Sequence, residues 1–353
     1  MYTKDEIFNQ ALQMKTTKEV VRETNISKIT SQQVIFIGCG TSYYLGIAAA
    51  RYFQAKTGIP AQAFPASDLF LHPEMIISKD ITYTLFSVSR SGTTSEIEIA
   101  LDAISDYNNV HKIAITCYGN TPIHNKSDEA IVLEHISEKS VVMTQSFTNM
   151  LYAFQCYVAY AYDIDQETIL NIDEEVQKQV EIHSANTTEV ANELSINQFI
   201  FLGSGSYAGI VKEATLKLKE MTQTICESYS TLEFRHGPIS IVNDKTCVIL
   251  LSQRASRSYE PSLVQHIQQF GGKVVAIGED VEALNADISI SLPKFISDWD
   301  RIPLYMPYLH YLAYYRAIAL QLNPDKPKNL TKVVKIYGEI NEEISDWFRY
   351  RRY

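Results

Sequence analysis

The chain has 353 residues, 46% hydrophobic and 20% charged, which suits a globular protein with two cores at roughly 150 residues per domain. Its formal charge of -10 and pI near 5.4 argue against nucleic acid or an anionic membrane as partner, since an acidic surface gains neither counterion release nor attraction there. Five cysteines (Cys39, Cys117, Cys156, Cys226, Cys247) form no CxxC pair, the N-terminus lacks an apolar signal core, and no run of about 18 apolar residues occurs, so the chain reads as cytoplasmic.

A helix is predicted over about 4–24, within an N-terminal unit 1–25. Short β-branched runs then alternate with helical patterns: QQVIFIGC, SYYLGIAAARYFQAKTG, ITYTLFSVS, TTSEIEIALDAISDYN and HKIAITC. That alternation predicts βαβ units and a mainly parallel sheet, over a first domain 26–165. The polar stretch ETILNIDEEVQKQVEIHSANTTEVANEL is read as a solvated connecting helix, 166–195. A second series, QFIFLGSG, SYAGIVKEATLKLKEM, TCVILLSQ, SLVQHIQQFG, KVVAIGE and ISISL, predicts a second domain, 196–325, and the Pro-containing segment after Pro303 a closing helix followed by a tail, 326–353. VIFIGCGTSYYLGI and FIFLGSGSYAGI start the two series about 165 residues apart, which marks a duplicated domain, since solenoid repeats have periods of about 20 to 50 residues.

Two loops of the first series suit an anion. GCGTS, with Gly38, Gly40, Thr41 and Ser42, lies between a strand and a helix, where bare amides and the positive end of the helix face outward. It lacks the third glycine of the dinucleotide fingerprint, where Tyr43 stands, and has no Walker lysine. Taken alone, it reads first as a tight β-to-α turn that needs glycine. SVSRSGTTSE sets Ser89, Ser91, Thr93 and Thr94 around Gly92, with Arg90 as a cationic donor. A helix cap uses one hydroxyl and this loop carries four, so a shared phosphate cradle is the preferred reading. The second series reads LSQRASRSYE at that place, without the Ser-x-Ser-Gly pattern.

The segment TLKLKEMTQTICESYSTLEFRHGPIS carries the charges. Glu213, Lys217 and Glu220 follow i, i+4, i+7 on one helical stripe, and His236 sits in a turn closed by Gly237 and Pro238. Alone, the stripe reads first as a solvated face with i,i+4 pairing, and His236 equally as a packing histidine. His72, His266 and His310 fit no constellation and are read as structural, and no metal-ligand spacing occurs.

CGTS, SRSGTT, the LKLKE helix, EFRHGP and DKPKNLTKVV, in that order, resemble the tandem SIS-domain phosphosugar isomerases over about residues 20–335. The nearest likeness is to the isomerase half of glucosamine-6-phosphate synthase and to stand-alone hexosamine-phosphate deaminases, ketose/aldose isomerases and fructosamine-6-phosphate deglycases. The resemblance implies two SIS domains, each a three-layer αβα, flavodoxin-like unit with a parallel sheet. It implies that Ser42, Ser89, Arg90, Ser91 and Thr94 surround a sugar phosphate, that Glu220 moves a proton between C1 and C2, that Lys217 assists at a sugar oxygen, that His236 opens the ring from the neighbouring subunit of a homodimer, and that Lys332 reaches the carbonyl end. Two features depart from the synthase. The sequence begins MYTKDE with no glutaminase domain, so glutamine-dependent synthesis is not expected. Arg90 also replaces a Gln, and MTQSFT (143–148) replaces STKAFT, both bearing on the sugar recognised.

The residue types support that chemistry independently. Aldose/ketose interconversion needs a carboxylate at C1 and C2, an acid/base group near neutrality and a cation for the oxyanion, with no metal or cofactor. The alternatives weighed are a deglycase, a non-catalytic sugar-phosphate sensor, which would need only the loops, and dinucleotide binding.

Overall fold

The computed structural model describes residues 1–24, 26–332, 334 and 336; residue 25 and the expected tail positions 333, 335 and 337–353 lie outside the described residues. Strands β1 (Gln33–Gly38), β2 (Ala61–Pro65), β3 (Tyr83–Ser89), β4 (Val110–Thr116) and β5 (Glu129–Val132) form one sheet in the order β2-β1-β3-β4-β5. Strands β6 (Gln198–Leu202), β7 (Cys226–Tyr229), β8 (Thr246–Leu251), β9 (Lys273–Gly278) and β10 (Ile288–Ser291) form the other, in the order β10-β9-β8-β6-β7. Read from its other edge this is the first order again, with β6 in the place of β1, and every pairing is parallel. The fold is the expected pair of parallel α/β units.

Eight longer helices cover the sheets: α1 (Tyr2–Thr24), α2 (Thr41–Thr57), α3 (Ser95–Ala103), α4 (Gln145–Tyr162), α5 (Ile172–Asn186), α6 (Tyr207–Thr222), α7 (Glu260–Gln269) and α8 (Met306–Ala319). The period-2 alternation of strands decides which face meets which core. Val34 and Phe36 of β1 join Phe201 of β6, Met14 of α1, Phe154 of α4, Leu218 of α6 and Tyr311 of α8 in one cluster spanning both sheets. Ile35 and Ile37 point to the first sheet's outer face, and Ile200 and Leu202 to that of the second, each with its own smaller cluster. Because both faces are covered, these strands are continuously apolar rather than alternating in polarity.

The expected solvated connecting helix is different. In α5, Ile172, Val176, Val180 and His183 are buried on a stripe facing α1 and α8. Three- and four-residue spacing makes them one face, which the surrounding charges concealed.

The halves meet where α2 and α6 cross. A Cβ at Gly209 would lie 2.3 Å from the Tyr44 carbonyl oxygen and 2.7 Å from the Ala48 amide nitrogen, both backbone atoms of α2. Neither can yield without parting the helices. Gly209→Ala is therefore expected to cost about 1–3 kcal/mol through overpacking, outweighing the ~1 kcal/mol that alanine gains in helix propensity. Urea denaturation checks this, and an unchanged or raised midpoint would mean that the contact is not tight.

Candidate active site

Both hydroxyl-rich loops leave the carboxyl ends of β1 and β3, which are hydrogen-bonded neighbours. The chain turns to opposite sides of the sheet there, at the switch point where open α/β sheets bind ligands. Gly38 is required because a Cβ would sit 2.5 Å from the Ser42 carbonyl carbon, and Gly40 because its φ is +52°. At Gly92, φ is +66° and a Cβ would meet Thr121 Oγ1 at 2.2 Å.

Neither loop spends its hydroxyls on helix capping. Helix α2 begins after Gly40 and α3 after Thr94, both without a side-chain cap. Ser89 and Thr94 hydroxyls bond each other at 2.9 Å, Ser89 Oγ accepts from the Gly92 amide at 3.1 Å, and Ser91 Oγ accepts from the Thr93 amide at 3.2 Å. Ser42 is buried in the first turn of α2. Helix starts without a side-chain cap and clustered hydroxyls are the chemistry that can accept an anion without a fixed charge.

The charged stripe of α6 lies beside this cradle. Lys217, 1% exposed in its side chain, donates to Thr41 Oγ1 at 3.1 Å and to Glu220 Oε2, and its Nζ is 3.4 Å from Glu213 Oε1. Thr41 in turn donates to Glu213 Oε1 at 3.3 Å. Burial pushes the Glu213 carboxyl up to about 8 against the pull of Lys217, and Glu220 pushes the same way as burial. Burial alone would lower the Lys217 ammonium, but Glu213 and Glu220 outweigh it and hold the group above the ordinary lysine value. Only Glu220, with 18% of its side chain exposed, reaches the surface. Lys217 thus directs its ammonium at protein groups rather than standing open to a sugar oxygen.

Arg90 also departs from the expected pattern. Its Nη1 pairs with Glu138 Oε2 at 2.9 Å, with both side chains buried, and its Nη2 donates to the carbonyls of Val141 at 3.1 Å and Lys332 at 3.3 Å. Lys332 Nζ donates to the Glu138 carbonyl. His236 lies outside both groups, exposed on the turn after a short 3-10 helix (Glu233–Arg235), and its ring makes no hydrogen bond or ion pair among the described residues.

The SIS-domain family model matches residues 29–160 and 194–286, more than half of the chain. The protein belongs to the SIS-domain family. It is 26% identical to the D-galactosamine-6-phosphate deaminase of Shewanella sp. (strain ANA-3), over 88% of this chain and 81% of that one. It is also 26% identical to the isomerizing glutamine–fructose-6-phosphate aminotransferase of Aquifex aeolicus, over 86% of this chain and 52% of that one, so the chain spans about half the length of that relative. The crystal structure of a glucosamine-6-phosphate deaminase from Thermotoga maritima superposes with a TM-score of 0.82 at 28% identity, covering 95% of this chain and 99% of that one.

Two participants escaped sequence reasoning in this SIS pair. Glu213 was visible on the stripe but carried no role, and Glu138 was not seen at all. A buried arginine needs a carboxylate, but which one is a property of the tertiary structure. A cavity of 490 Å³ opens at the other end of the first sheet, beside Lys28, Thr84, Asn109 and His111. It faces the amino ends of the strands, away from the cradle.

The burial of Glu213 has a pH signature. Its carboxyl sits at about 8 in the folded chain and returns to near 4.5 on unfolding, so the folded state binds the extra proton between these values. The stabilisation is complete below pH 4.5 and is lost as pH rises toward 8. Glu213→Gln cannot titrate, so the melting temperature of the wild-type protein should fall relative to the variant's between pH 5 and pH 8. Parallel melting curves across that range would contradict a neutral Glu213.

Proposed function

We propose that this SIS-domain chain is a phosphosugar isomerase or deaminase, acting on a 6-phosphosugar or an amino-sugar 6-phosphate. The observation that carries the reading is the join through Thr41: the residue after Gly40 in the first loop hydrogen-bonds the buried Lys217 that holds Glu220. Phosphate cradle and proton-transfer carboxylate therefore share one site. The deaminase names of the Shewanella and Thermotoga relatives support amino-sugar 6-phosphates as the first substrates to try.

In this reading the phosphate sits in the Ser42, Ser89, Ser91 and Thr94 cradle, and His236 of a second copy protonates the ring oxygen while the anomeric hydroxyl loses its proton. The open-chain carbonyl at C1 acidifies the proton on C2. Glu220 removes it, giving an enediol from an aldose or an enolamine from an amino sugar, and returns it to C1. An aldose leaves as the ketose. An amino sugar leaves as a 2-imine that takes up water and releases ammonia. Lys217 holds Glu220 in place through their ion pair, and the charge of Lys332 steadies the oxyanion.

A panel of fructose 6-phosphate, glucosamine 6-phosphate, galactosamine 6-phosphate and fructosamine 6-phosphates, scored for ammonia, free amine and ketose, should show turnover of at least one. Glu220→Gln should abolish that turnover while calorimetric binding of the phosphosugar persists. Full activity in this variant would refute the assignment. Ser89→Ala with Ser91→Ala should weaken binding by about tenfold or more, as two donors to a charged group are lost. Mixing inactive Glu220→Gln and His236→Ala chains should restore activity if His236 serves the neighbouring subunit, and a silent mixture would place both groups in one chain.

A further inference from the structure

Two of the positions at which the chain departs from the synthase pattern, Arg90 and Ser146, contact one carboxylate. Glu138 Oε2 accepts from Arg90, which replaces Gln, and from the hydroxyl of Ser146, which stands where STKAFT has Ala. Glu138 Oε1 accepts from the amide and hydroxyl of Thr144 at 2.7 and 3.1 Å and from the Ser146 amide at 3.3 Å. Its side chain is 1% exposed, so a lone carboxylate there would be costly, and Arg90 neutralises it. Three of the five guanidinium donors are accounted for, all on protein acceptors.

Two of the contacts tie the pair to Lys332, one across 242 positions of sequence and one across 194. The Lys332 carbonyl accepts from Arg90, and the Lys332 ammonium donates to the carbonyl of Glu138, the partner of Arg90. Lys332 is thereby held at both its backbone and its side chain by one ion pair. A guanidinium suits this task because its planar fork spreads five donors over three nitrogens, whereas a Gln amide has two donors and a Lys ammonium gathers its three on one atom.

We infer that Arg90 is a positioning residue for Lys332, anchoring the start of the C-terminal tail through Glu138, and is not a ligand of the substrate phosphate. Its effect on turnover rests on the proposed phosphosugar chemistry, whereas the anchoring itself does not. The SRSGTT loop therefore faces two ways: its hydroxyls and amides surround the anion, and its arginine turns back to fix the tail lysine that completes the site. With its charge matched by Glu138, the arginine adds no net charge to the cradle.

The test uses trypsin, because the bond after Lys332 is the one whose carbonyl Arg90 holds. Arg90→Gln combined with Glu138→Gln removes the pair without stranding a buried charge, so the fold should persist, with an unchanged circular dichroism spectrum. Cleavage after Lys332, followed by intact mass, should then be at least about fivefold faster than in the wild type, because local opening governs proteolysis. Affinity for inorganic phosphate, measured by calorimetry, should stay within about threefold, since no phosphate donor is removed. Once a substrate is known, Arg90→Gln should lower kcat in the wild-type background and cost nothing further in a Lys332→Ala background, the mark of two residues acting as one. An unchanged cleavage rate, or a loss of phosphate affinity of about tenfold or more, overturns the inference. Cleavage needs no substrate, so failure of the anchor and failure of the phosphosugar reading are separate results.

Discussion

The site depends on how closely the backbones of α2 and α6 approach. Gly209 leaves no side chain between them, and the two helices run antiparallel in a register that can be followed contact by contact. Arg51 donates to the Gly205 carbonyl, Tyr44 and Ala48 flank Gly209, and Thr41 meets Glu213 and Lys217. Moving backward along α2 is moving forward along α6. The first turn of a helix belonging to one sheet is thereby delivered to the middle of a helix belonging to the other, and with it the GCGTS loop to the charged stripe. A bulkier residue at position 209 would do more than loosen packing, because Thr41 could no longer be within reach of both charged partners.

That contact explains why a lysine can be buried at position 217. Removing an ammonium from water costs several kcal/mol even after relaxation, and only close, well-placed partners offset it. Three are present, but two ionised carboxylates and one ammonium would leave a net negative charge in a closed space. Burial resolves this by keeping Glu213 neutral over most of the physiological range. What remains is one ammonium and one carboxylate, and the carboxylate, Glu220, is the member with access to solvent. His310, fully buried on α8 with its imidazole held down to about 3 by burial and by Lys217, stays neutral and adds no charge to the balance.

Much of the fold was legible because central strands are continuous apolar runs and the repeat announces itself through its G-x-G turns. The three strands that were not predicted, β2, β5 and β7, are edge strands. AQAFP ends in a proline, CESY is half polar, and each strand pairs on one side only, so neither the apolar run nor the alternation of a central strand is imposed on it. The loops and the stripe of α6 were legible for a different reason: hydroxyl clusters and i, i+4, i+7 charges are local patterns. The engagement of Arg90 was not, since Glu138 and Lys332 come from a loop and a tail that are remote in sequence. Local patterns name candidate groups, and only the tertiary structure decides which of them are already satisfied by the protein.

The second repeat shows what the same loop becomes when it is satisfied internally. After β8, Ser252 and Ser256 direct their hydroxyls at the carboxylate of Glu260, the first residue of α7, and the Gln253 amide donates to it at 3.4 Å. Glu260 is wholly buried and sits in the helix's first turn, where a negative charge is favoured by the exposed amides. The matching helix of the first repeat opens with Ser95 instead, and its serines and threonines bond one another. Topology, strand order and the position of the loop are the same in both halves. The difference is one contact: Glu260 takes the hydroxyls of its loop, whereas among the described residues Glu96 and Glu98 in the first turn of α3 take none from theirs, whose serines and threonines bond one another. Only the first repeat thus keeps a loop whose hydroxyls are not taken by a carboxylate, and the α2–α6 crossing sets beside it Glu220 of the second repeat, the group we propose moves the proton.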